Sequence, residues 1–161
     1  MIEDILAYNK QFVAEKGYEE FVTDKYPNKK LAIVTCMDTR LIELLPAALG
    51  IKNGDAKIIK NAGGVISSPF GSAMRSLLIA IYELGCEEIM VIGHTDCGVQ
   101  HIDSEQMIQH MKARGISQES IDLMKYCGID FERWLAGFGT VEQSVTDTVD
   151  TIRNHPLMPK D

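Results

Sequence analysis

Two short clusters of chemically capable side chains stand out in the sequence. One is Cys36-Met37-Asp38-Thr39-Arg40 and the other is His94-Thr95-Asp96-Cys97-Gly98. Together they supply two thiolates and one imidazole. Zinc favours tetrahedral sulfur and nitrogen donors, and three protein ligands with an open fourth position is its catalytic arrangement. Cys36, His94 and Cys97 fit that set, and the His-x-x-Cys spacing lets one turn of backbone present both side chains to one ion. The plainer alternative is two buried thiols acting as small hydrophobes beside a core histidine. A redox pair lacks the expected Cys-x-x-Cys spacing.

Asp38 and Arg40 follow Cys36 by two and four positions. An aspartate beside zinc can fill the fourth position, or accept a hydrogen bond from water held there. A planar guanidinium can hold that carboxylate bidentately and away from the metal. The competing reading is a surface ion pair at the start of the next helix, with Asp38 near its N-terminus. Asn61-Ala62-Gly63-Gly64 is a third motif, whose glycines permit close backbone approach to a small ligand or a neighbouring subunit, or form an ordinary turn. No phosphate-binding glycine loop occurs. Cys86 and Cys127 lack partners at ligand spacing and read as buried or partly buried free thiols. His101 and His110 read as solvent-facing, and His155 as part of a frayed tail.

Each cluster must sit just past a strand to be useful. Leu31–Thr35 is a short apolar run rich in β-branched residues and reads as a buried strand, Ala56–Lys60 reads as a second strand, and Glu88–Gly93 as a third. Helical spacing predicts helices over 2–16, 41–49 and 71–84, the second short or irregular because of Pro46. Further helices are expected over 105–114, 118–127 and 141–154, separated by glycines. The alternation predicts an α/β fold: a mainly parallel central sheet flanked by helices, with a helical C-terminal half. In open parallel sheets ligands gather at the carboxyl ends of strands, so both clusters belong to one edge.

The chain has 161 residues, 45% hydrophobic and 24% charged, which suits one globular domain. Sixteen basic against 23 acidic residues give a formal charge of −7, which disfavours a nucleic-acid partner. No apolar run approaches the ~20 residues of a membrane span. The acidic start Met1-Ile2-Glu3-Asp4 is unlike a secretory leader, so the expected compartment is the cytoplasm.

The ordered set Cys36-x-Asp38-x-Arg40, Asn61-Ala62-Gly63-Gly64 and His94-x-x-Cys97-Gly98 resembles the β-class carbonic anhydrases, most of all their short bacterial branch. The likeness covers about residues 29–154. It implies zinc on Cys36, His94 and Cys97, and a catalytic Asp38–Arg40 dyad. The implied reaction is reversible hydration of carbon dioxide to bicarbonate and a proton by zinc-bound hydroxide. Val65 and Phe70 are candidates for an apolar substrate pocket. The resemblance also implies a homodimer or larger homo-oligomer, a 1–28 helical arm, and a C-terminal strand of relatives that is expected to be missing after residue 161. Thr39 stands where relatives more usually have Ser or Ala. Two other activities fit the same residues: hydrolysis of carbonyl sulfide or carbon disulfide, and zinc-stabilised binding or regulation with little turnover.

Overall fold

Leu31–Cys36 forms β1 in the computed structural model, which describes residues 1–160. The C-terminal strand expected to be missing after residue 161 would lie outside them. Ala32, Ile33, Val34 and Thr35 are fully buried, as an apolar β-branched run predicts for a strand covered on both faces. The Thr35 hydroxyl donates to the Ile92 carbonyl at 3.0 Å, which offsets the cost of burying it.

Among the described residues the sheet has three strands, all parallel, with β1 between β2 (Ala56–Asn61) and β3 (Glu88–Ile92). Leu31 faces both Ala56 and Glu88, Cys36 faces Asn61, and Thr35 faces Ile92. The three strands therefore end together, and the segments after them share one edge.

Helices cover the sheet. α1 spans Ile2–Ala14 and a 3-10 turn follows at Gly17–Phe21, so the first helix stops short of the expected residue 16. α2 (Leu41–Leu49) buries Leu41 and Leu45, four apart. Pro46 does not break it: the carbonyl that the missing N–H would have served belongs to exposed Ile42, where water is available. α3 (Ser72–Tyr82) buries Met74, Leu77 and Ala80. These pack with Val34, Ile66 and Ile152 into the main core.

The C-terminal half is helical, as expected: α4 (Ser104–Ala113), α5 (Gln118–Tyr126), α6 (Phe131–Leu135) and α7 (Val141–Arg153). Asp103, Ser117, Asp130 and Thr140 cap them, each side chain accepting from the backbone N–H three residues on. The short α6 had no periodic signal. α7 packs directly on the end of β3, because a Cβ at Gly93 would lie 2.6 Å from Val141 Cγ1.

Two expectations change. His155 is not frayed but 2% exposed, and its backbone N–H donates to the Ile152 carbonyl near the end of α7. Its Nδ1 accepts from Leu157 N–H, its ring meets Phe70 edge-on, and Met158 packs onto the core. Cys127 is exposed at the end of α5, whereas Cys86 is buried. His101 and His110 are exposed.

Candidate metal centre

Cys36 ends β1, and His94 and Cys97 lie in the loop that follows β3. The parallel register places these two segments side by side. The Cys36 and Cys97 Sγ atoms stand 3.7 Å apart, and both residues are buried. With a ring nitrogen of His94 they form a cluster whose donor atoms all lie within 4.8 Å of one another.

The imidazole supplies the test of fit. His94 Nδ1 lies 2.9 Å from the Thr95 carbonyl, which makes Nδ1 the protonated nitrogen. Nε2 is then a bare lone pair, buried, with no hydrogen-bond partner among the described residues. A buried unsatisfied acceptor is costly. An ion between it and the two sulfurs removes that cost. Burial pushes the Cys97 thiol above its ordinary value, and the neighbouring Cys36 adds to the rise. A divalent cation reverses that balance and holds both sulfurs as thiolates. Two soft sulfurs and one imidazole suit zinc.

Asp38 sits beside the cluster. Its Oδ2 is 3.8 Å from His94 Nε2. Arg40 donates from Nε to Asp38 Oδ1 and from Nη2 to Oδ2, both at 2.9 Å, and its backbone N–H adds a third bond to Oδ1. These bonds hold the Asp38 carboxyl well below the usual carboxylate range. They raise Arg40 above its already high value in return. The same guanidinium also reaches Asp96, which spacing did not single out.

The Asn61–Gly64 segment closes on itself. The Asn61 side chain donates to the Val65 carbonyl at 2.7 Å and accepts from Val65 N–H at 3.0 Å. Gly64 has φ +64, and a Cβ there would lie 2.9 Å from the Cys36 nitrogen. The close approach that this glycine permits is to the end of β1 itself.

Val65 borders Gly63 together with Val99 and Phe138, and the last two pack against the Cys36 and Cys97 cluster. Phe70 does not join them; it is exposed and meets His155. Phe138 lies far along the chain in an Ala-Gly-Phe-Gly segment with no periodicity. Its carbonyl accepts from the His101 N–H and the Gly137 N–H donates to the Ile102 carbonyl, which brings it back to the site.

Residues 31–161 match the family model described as carbonic anhydrase. This chain belongs to the carbonic anhydrase family. Such proteins are lyases acting on a small molecule. The chain is 52% identical over 160 residues to YtiB of Bacillus subtilis, a protein named as a carbonic anhydrase, covering 99% of this chain and 86% of YtiB. A solved β-carbonic anhydrase of Trichomonas vaginalis superposes with a TM-score of 0.89 at 36% identity, over 99% of this chain and 86% of that one. A carbon disulfide hydrolase of Acidithiobacillus thiooxidans is 33% identical over 142 residues, 83% of this chain and 68% of the hydrolase.

Proposed function

We propose that this carbonic anhydrase homologue converts carbon dioxide and water reversibly into bicarbonate and a proton, with zinc held by Cys36, His94 and Cys97. The observation that carries the reading is the buried, unpartnered His94 Nε2 facing two thiols, beside an ionised Asp38. Zinc bound there supplies the acidity that makes water a nucleophile near neutral pH.

The chain's own residues do the rest. The Thr95 carbonyl fixes the His94 tautomer and ring direction. Arg40 keeps Asp38 charged and holds its carboxylate in place beside the donor set. Asp38 then accepts a hydrogen bond from the attacking water and directs its lone pair at the carbon. Val65, Val99 and Phe138 offer an apolar wall for a linear, uncharged gas.

The test is stopped-flow hydration on metal-quantified protein. Hydration is expected to track zinc content, and Cys36→Ala or Cys97→Ala to lose both. Fully zinc-loaded protein that hydrates no carbon dioxide between about pH 6 and 9 overturns the reading, and would leave a zinc-stabilised binding protein.

The similarity to a carbon disulfide hydrolase supports a second reading, in which the same site hydrolyses carbonyl sulfide or carbon disulfide. Turnover of the three gases side by side separates the two.

We read residues 1–161 as one domain with 1–28 as an arm. α1 supports this, because none of its residues is buried by the described chain and Ile2, Ile5, Leu6 and Val13 remain exposed. A homodimer or larger homo-oligomer would cover them. Among the described residues no helix is long and apolar enough to cross a membrane. A reducing cytoplasmic compartment suits four free cysteines, two of them 3.7 Å apart.

A further inference from the structure

Arg40 serves two aspartates rather than one. Its Nε and Nη2 edge holds Asp38. Its outer side reaches 56 residues along the chain: Nη1 donates to Asp96 Oδ2 at 2.8 Å and Nη2 to the Asp96 carbonyl at 2.7 Å. Side chain and backbone of one residue thus converge on one guanidinium. Asp96 has φ +53, a left-handed conformation that aspartate adopts more readily than most residues.

We propose that Asp96 is a positioning residue, which clamps the outer side of Arg40 and so fixes the Asp38–Arg40 pair against the loop carrying His94 and Cys97. The proposal rests on the reading of Asp38 as the group that orients the attacking water.

A guanidinium held along one edge alone can rock about the carboxylate it binds. Asp38 follows that motion, and its Oδ2 lies only 3.8 Å from His94 Nε2. Bonds on a second side remove the freedom. They also tie the loop after β1 to the loop after β3, the two segments that must share an ion. Stability is not the gain: the Asp96 side chain is 90% exposed, and exposed ion pairs contribute little. The clamp therefore acts on geometry, and removing it should leave folding intact.

Asp96→Gly keeps the left-handed backbone and deletes the carboxylate. Asp96→Asn keeps the shape and one acceptor. The first readout is the Arg40 guanidinium resonances in zinc-free protein, where restrained rotation keeps the Nη signals distinct. The second is thiocyanate affinity of cobalt-substituted protein, since an Asp38 that swings inward closes the position thiocyanate takes. The third is kcat for carbon dioxide hydration. In Asp96→Gly the Nη signals should merge, and both thiocyanate affinity and kcat should fall roughly 3- to 10-fold, with the melting temperature unchanged. Asp96→Asn should recover most of each loss. Unaltered Arg40 signals and thiocyanate affinity in Asp96→Gly overturn the clamp. Failure of the underlying reading looks different. Asp38→Asn at full activity removes the catalytic role of Asp38, and the Arg40 signals still decide the clamp.

Discussion

Asp38 keeps its charge because Arg40 surrounds it with a side-chain fork and a backbone N–H. The sign of the resulting pH dependence is fixed. The folded carboxyl is held below its ordinary value, so the stabilisation is complete above that value, near pH 4, and fades only as pH falls through the lowered one. In zinc-free protein the Asp38 carboxyl carbon shift should stay constant from about pH 7 down to about pH 4; a midpoint near 4 would contradict the pairing. On the proposed zinc mechanism, a fall in activity between about pH 9 and 6 would report zinc-associated water rather than protonation of Asp38. Asp38→Asn should retain zinc by elemental analysis yet lose roughly 10²-fold or more in kcat. Residue types and spacing were enough to single out the two clusters, since sulfur, imidazole and a carboxylate–guanidinium pair are chemically distinctive. Asp96 was not legible in the same way. Its contact with Arg40 depends on a left-handed backbone and on a loop juxtaposition that no local spacing encodes.

Strand ends carry the site, and they were readable because β1 is a short, mostly apolar run that includes β-branched Ile33, Val34 and Thr35. What local patterning missed belongs to tertiary packing. α6 is too short for a period. His155 is turned inward by contacts with Phe70 and Leu157 that lie outside any helix pattern. Gly93 shows how closely these elements approach one another. Gly93→Ala should push α7 off β3 and destabilise the fold by about 1–3 kcal/mol, seen as a lower urea midpoint at unchanged slope. An unchanged midpoint would mean that Val141 and Val145 shift aside without cost.

At the scale of the whole molecule, α1 is an amphipathic helix with no cover of its own. If it arms a second copy, Leu6→Glu should shift sedimentation toward the single chain while zinc content holds. A wild-type protein that sediments as one chain removes the oligomer. The register of the sheet has a kinetic consequence as well. Cys36 and Cys97 are 61 residues apart and meet only because β1 and β3 lie in parallel alignment. Closing so long a loop is entropically unfavourable until strand pairing offsets it. The complete donor set therefore comes into being after the sheet does. If the site takes up zinc as proposed, its full capture during refolding should lag strand formation, and the bound ion would then act as a late staple across the two ends of that loop.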